Sequence, residues 1–170
     1  MRRHLYIVRH GIAEPKGGIA DADRRLTEVG VRRFRRAALG LKRLGIVPDV
    51  ILSSPLIRAE QTAQLLVAVL APELAVEIYP PLAPGNQISE VLAGLRAYRR
   101  ARHIMLVGHQ PDLGELASHL LTGSASVVSL PFKKGGVAAI EVTALPPHNA
   151  GNLEWFMAPR QLRAIARGGR

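Results

Sequence analysis

The sequence predicts an α/β layer fold with a mostly parallel central sheet, built as one domain over residues 1–170. Three observations carry this. The short apolar runs Leu5–Val8, Val50–Leu52 and Ile104–Val107 read as buried strands. Each is followed by a polar loop and then by a stretch of helical periodicity, the order that builds parallel sheets through crossover helices. At 170 residues and 48% hydrophobic, the chain can bury one ordinary core without disulfides or metals.

The elements follow in order. Residues 11–25 hold Gly11, Pro15, Gly17 and Gly18 among mixed charges and read as a loop. Thr27 stands as an N-cap before Glu28. Val31, Phe34, Ala37, Ala38, Leu41 and Leu44 then fall at helical spacing, and Gly45 ends that helix. Ser53-Ser54-Pro55 breaks the second strand, and a helix from about 56 to 70 follows. Glu77–Tyr79 reads as a short strand, Pro80 to Gly85 as a loop, and about 88 to 100 as a helix. After Ile104–Val107 come Gly108-His109-Gln110, with Pro111 as the first residue of a helix to about 121. Val127–Leu130, Val137–Thr143 and Leu153–Met157 are β-rich and predict further strands at the sheet edge. Residues 159–166 read as a terminal helix.

Composition narrows the chemistry. With no cysteine, the chain has no disulfide scaffold, thiolate catalysis or cysteine-ligated metal. The net charge is +10, from 23 bases against 13 acids, and 19 of the 23 bases are arginine. Residues 1–60 carry 13 bases and 6 acids, residues 61–150 carry 6 of each, and residues 151–170 carry 4 and 1. Such an excess points to a polyanion, a membrane surface or a phosphorylated partner. A nucleic-acid-binding module is the non-enzymatic alternative. It is disfavoured, because no motif of that kind appears and aromatics are only 4%, too few for stacking platforms. The basic start Met1-Arg2-Arg3-His4 precedes an apolar run too short for a signal peptide, and no run is long enough for a membrane span. No membrane association is expected, and a cytoplasmic location is the default.

In a parallel sheet, ligands bind beyond the C-terminal ends of the strands. The first strand ends in Arg9-His10-Gly11, the second leads to Ser53-Ser54-Pro55 and then Arg58, and the third to Gly108-His109. Two arginines and two histidines are therefore expected at one edge. Guanidiniums match a phosphoryl group in charge and bidentate geometry. A neutral imidazole is a competent nucleophile toward phosphorus. Gly11 permits close backbone approach, and the helix after Pro111 offers a favourable dipole. No metal or other cofactor is needed, because arginines do the charge work.

At these residues the sequence resembles the histidine phosphatase (phosphoglycerate mutase-like) superfamily. Arg9-His10-Gly11 is similar to its RHG signature. Leu26-Thr27-Glu28-Val29-Gly30, Ser53 to Thr62 and Val107-Gly108-His109-Gln110-Pro111 agree in order and placement. The short length, Arg58-Ala59-Glu60-Gln61-Thr62 and the Trp155, Pro159, Leu162 ending resemble its SixA-type phosphohistidine phosphatases. The resemblance implies a three-layer α/β/α sandwich in its minimal form, without a large inserted lid. It implies His10 as the nucleophile that forms a phosphohistidine intermediate, Arg9 and Arg58 as the clamp on phosphoryl oxygens, and His109 as the second pocket histidine. Arg24 matches the family's loop arginine, with Arg25 the runner-up, and Ser53 and Gln110 are further pocket candidates. A phosphorylated protein, such as a histidine phosphotransfer domain, is the implied partner, and phosphate or sulfate is expected to fit the site.

One departure bears on the substrate. Broader members of the superfamily carry a general acid in a mid-chain insertion, whereas residues 79–86 here contain no acid. That disfavours phosphate monoesters, whose alkoxide leaving groups need a proton. It suits a phosphoramidate such as phosphohistidine, with a labile P–N bond. Glu14 and Glu60 are weighed as substitute acids, which keeps a small-molecule phosphomonoesterase as the enzymatic alternative. His4, His103, His119 and His148 lack any such context and read as structural or surface residues, and Arg32 to Arg36 as a solvated helix face.

Overall fold

The structure, a computed structural model, describes residues 2–168. In chain order it comprises β1 (Arg3–Arg9), α1 (Glu28–Arg43), β2 (Val50–Ser53), α2 (Ile57–Leu70), β3 (Val76–Ile78), α3 (Ile88–Gly94), β4 (His103–Gly108), α4 (Asp112–Thr122), β5 (Val137–Val142), β6 (Asn152–Met157) and α5 (Pro159–Arg167). The sheet order is β3-β2-β4-β1-β5-β6. The first four strands of that order are mutually parallel, while β5 lies antiparallel to β1 and β6 antiparallel to β5.

Alternation along the strands makes the three layers. Leu5 and Ile7 of β1, Leu52 of β2 and Leu106 of β4 join one core with α3 and α4. Tyr6, Val8, Ile51, Met105 and Val107 join the other with α1, α2 and α5. Both faces of the central strands are thus apolar, as parallel interior strands require. Each fully buried leucine or isoleucine contributes roughly 1.5–3 kcal/mol.

Local signals place the helices. Thr27 Oγ1 accepts from Gly30 N at 3.0 Å, the predicted N-cap of α1. Gly45, at φ +75°, turns the chain out of its far end. At Gly40 a Cβ would stand 2.1 Å from the Leu162 carbonyl oxygen, so α1 and α5 touch backbone to backbone.

Two expectations are corrected. Val127–Leu130 is not a strand. Both edges of β5 are already taken by β1 and β6, and the segment is tied to α4 instead, with Val128 N donating to Ser118 Oγ at 3.1 Å. Leu130 is buried, but Val127 stays 67% exposed. The helix expected to about 100 is α-helical only to Gly94 and tightens into a 3-10 turn over Leu95–Tyr98. Among the described residues, no helix is long and apolar enough to cross a membrane.

Candidate active site

The register levels the strand ends that matter. Arg9 pairs with Gly108 and Ser53 with Val107, so the chain leaves β1, β2 and β4 at one edge. A cavity of about 420 Å³ opens there. Arg9, His10, Arg24, Arg58, His109 and Gln110 all line it, together with Lys16, Lys134 and Asp21. Five cationic side chains and one carboxylate therefore share a single pocket.

His10 is 5% exposed. Its Nδ1 lies 2.7 Å from the Gly11 carbonyl oxygen, and Arg58 Nε donates to its Nε2 at 3.3 Å. A carbonyl only accepts and a guanidinium only donates. The proton is therefore assigned to Nδ1, and Nε2 keeps its lone pair on the side of Arg58. Burial pushes the imidazole down to about 3, reinforced by His109, Arg58 and Arg9, with the Gly11 carbonyl opposing. At neutral pH the ring is uncharged.

His109, also 5% exposed, sits with its ring centroid 5.2 Å from that of His10. Its Nε2 meets Ser54 Oγ at 2.7 Å. Burial lowers it to about 4, helped by Arg58 and Arg9 and opposed by Asp21. Its Nδ1 is buried without a hydrogen-bond partner among the described residues, as is Arg9 Nε. Arg9 Nη1 donates to the Phe132 carbonyl at 2.5 Å, which fixes that guanidinium.

Two predicted residues lie elsewhere. Ser53 is fully buried, and its hydroxyl donates to the Ser54 carbonyl at 2.9 Å. Ser54, one residue beyond the strand, is the serine that reaches His109. Gly11 does not line the cavity. Its N–H donates to Thr62 Oγ1 at 3.0 Å while its carbonyl holds His10, and a Cβ there would stand 3.3 Å from Leu26 Cδ2. The glycine serves helix packing and imidazole orientation, not ligand approach. Of the loop arginines, Arg24 is buried and lines the cavity; Arg25 is exposed and does not.

Glu14 and Glu60 also stand outside. The Glu14 carboxylate accepts from Arg25 N at 2.9 Å, and Glu60 accepts from Gln64 Nε2 at 3.2 Å. The carboxylate in the pocket is Asp21, which sequence reasoning missed. Its Oδ1 accepts from Arg24 Nη1 at 2.7 Å and its Oδ2 from Arg58 Nη2 at 2.9 Å. Its backbone carbonyl accepts from Arg58 Nη1 at 2.5 Å. These hydrogen bonds, led by the one from Arg24, hold the carboxyl at about 2, and it stays ionised. The only sequence signal was an acid three residues before Arg24 in the mixed-charge loop after the first strand.

The pocket can bind a tetrahedral oxyanion against arginines and present it to a neutral imidazole nitrogen. The chain is similar to several known proteins. A family model for the histidine phosphatase superfamily, branch 1, matches residues 5–83. An uncharacterised protein of Picosynechococcus sp. is 37% identical over 164 residues, covering 93% of this chain and 98% of its own length. The phosphohistidine phosphatase SixA of Escherichia coli K12 is 28% identical over 161 residues, covering 94% and 96%. A solved structure of the protein histidine phosphatase SixA complexed with tungstate superposes with a TM-score of 0.82 at 27% identity, covering 94% of this chain and 99% of that one.

Proposed function

The chain belongs to the histidine phosphatase superfamily and is a phosphatase, and from that premise we propose that it removes the phosphoryl group from phosphohistidine in proteins through a covalent intermediate on His10. His10 Nε2 gives its lone pair to phosphorus, and the P–N bond of the substrate breaks. The departing nitrogen takes the electron pair of that bond, and the substrate ring, already protonated on its other nitrogen, leaves as neutral imidazole. Water then attacks phosphorus, the bond to Nε2 breaks, and inorganic phosphate leaves. Arg9, Arg24 and Arg58 hold the phosphoryl oxygens and balance their charge, so no metal is required. Ser54 Oγ already accepts from Leu56 N at 3.3 Å. Its own proton goes to His109 Nε2, which leaves His109 Nδ1–H as a donor for a phosphoryl oxygen. Gln110 lines the same pocket and is assigned to substrate contact.

One observation favours phosphohistidine over a phosphate ester. The carboxylate lining the cavity, Asp21, is bound by two arginines and held at about 2. At neutral pH it has no proton to give an alkoxide, whereas an imidazole leaving group can be protonated before the P–N bond breaks. The protein histidine phosphatase SixA, which this chain resembles, has been solved in complex with tungstate, a tetrahedral oxyanion of the kind this pocket suits.

The test offers a phosphohistidine protein with EDTA present. Phosphate release is expected, with an acid-labile, alkali-stable label trapped on the wild-type enzyme and absent from His10→Ala. Inactivity of the wild type, or activity retained by His10→Ala, overturns the proposal.

A further inference from the structure

We propose a second oxyanion site beside the catalytic pocket, formed by Arg33, Arg163 and Lys134, that seats an acidic side chain of the protein substrate. It rests on the function proposed above and names how a protein, as opposed to a small molecule, is held. A cavity of about 100 Å³ lies between α1, α5 and the loop before β5, lined by these three cations with Phe34, Gly135 and Pro159. Lys134 also lines the catalytic cavity, and Gly11, next to His10, lines this one, so the two adjoin.

Charge on this side of the molecule is unbalanced. α5 contains no acid, and α1 contains Glu28 alone against six basic residues among its sixteen. Among the described residues, none of Arg32, Arg33, Arg35, Arg36, Arg160, Arg163 and Arg167 has a carboxylate within 4.0 Å. Close backbone packing of Gly40 on Leu162 holds the two helices, and hence their arginines, side by side. Arg163 is half-buried, and burial first, then Arg33, Arg167 and Arg36, all push its guanidinium down from the usual range. Like charges held together without a counterion leave a standing demand for an anion.

The cavity's size selects the anion. About 100 Å³ holds one carboxylate or phosphate group and no sugar or nucleotide. Two guanidiniums and an ammonium suit either. Its position beside the pocket that takes the phosphohistidine assigns it to a neighbouring side chain of the same substrate, and among protein side chains that means Glu or Asp.

Two synthetic phosphohistidine peptides decide it, identical except that the residues flanking the phosphohistidine are Glu in one and Gln in the other. The wild type is expected to show a KM about five- to tenfold lower for the Glu peptide, with kcat unchanged and the difference shrinking at high salt. In Arg33→Gln/Arg163→Gln the preference disappears, while turnover of free phosphoramidate stays as in the wild type. No preference in the wild type, a preference retained by the double variant, or an equal loss on phosphoramidate each overturns the proposal. So does millimolar inorganic phosphate abolishing the Glu preference without competing at the catalytic pocket, which would make this a site for free phosphate. If neither peptide is turned over, the phosphohistidine function fails on its own. Fluorescence anisotropy of the unphosphorylated peptides then still decides docking, by the same Glu-over-Gln preference and its loss in the variant.

Discussion

Replacing Asp21 with asparagine should tighten the binding of inorganic phosphate about tenfold. In the structure the Asp21 carboxylate takes one donor from Arg24 and one from Arg58, at 2.7 and 2.9 Å. A phosphoryl group that uses those guanidiniums must displace it. The strength of its hold can be gauged from the carboxyl's position at about 2 against an ordinary 3.8. That displacement corresponds to roughly 2.5 kcal/mol of attraction. The side chain is 52% exposed, so solvent screens the pair and about half of that, ~1.3 kcal/mol, is the defensible figure. An amide of the same shape still accepts from one arginine but carries no charge to compete with phosphate. Removing ~1.3 kcal/mol of competition gives about a tenfold lower Kd. Isothermal titration calorimetry of phosphate into both proteins at pH 7 and low salt measures it. The same coupling stabilises the empty fold. The depressed carboxyl contributes stability that is present above its unfolded value near 3.8 and lost as pH falls toward 2. Asp21→Asn should therefore be less stable by about 1 kcal/mol at pH 7 without phosphate. Equal or weaker phosphate binding by Asp21→Asn would show that the carboxylate arranges the arginines and does not compete for them.

Other consequences are equally direct. His10 and His109 are held neutral at about 3 and about 4, so the unfolded chain binds more protons below 6.5. Stability should be full above pH 6.5 and fall steadily toward pH 4, with a shallower fall in His10→Asn; urea midpoints that stay flat across this range contradict the burial of two neutral rings. Arg58→Lys keeps one charge but loses the Nε contact to His10 and the paired Nη donors that would grip a phosphoryl group. At roughly 1.5 kcal/mol for each charge-assisted bond, kcat/KM should drop about 100-fold, and a drop under tenfold would mean that charge alone suffices. Gly40→Ala would drive a Cβ to 2.1 Å from the Leu162 carbonyl oxygen. It should cost about 2–3 kcal/mol in thermal unfolding, and an unchanged Tm would show that α1 and α5 pack loosely.

The parallel core and four of the pocket residues were legible because their signals are local. A β-branched run is long enough to mark a strand, and the residue after it lands at the sheet edge whatever the loops do. Arg9, His10, Arg58 and His109 inherit their positions that way. Asp21 does not. Its partner Arg58 is 37 residues away, and their meeting depends on how the loop between β1 and α1 folds back over α2. No periodicity encodes that closure. The choice of Ser54 over Ser53 turns on a single residue of strand length, where sequence boundaries are least sharp. Val127–Leu130 failed for a different reason. Its β-rich composition was read correctly, but a strand also needs an open edge, and β5 has none to offer.

Arg58 shows why the site requires arginine and why its parts cannot be tuned separately. One guanidinium touches the nucleophilic nitrogen of His10, the carboxylate of Asp21 and the Asp21 backbone. By donating to His10 Nε2 it selects the tautomer with a lone pair facing the pocket. With burial and its positive charge it also keeps that ring neutral. The nucleophile is thus ready without a general base, which a buried histidine beside a free carboxylate would not be, since an unpaired carboxylate would draw a proton onto the ring. Asp21 can stand in this pocket only because two arginines absorb its charge. When a phosphoryl group arrives, the same arginines exchange one anion for another. The released carboxylate then faces a more negative pocket with fewer donors, so its pKa must rise from about 2. Phosphate binding should therefore be accompanied by net proton uptake at mildly acidic pH. Calorimetry in two buffers of different ionisation enthalpy reads that uptake, and it should vanish in Asp21→Asn. Uptake that persists in the variant would place the proton on phosphate or on a histidine, and Asp21 would then not be the group displaced.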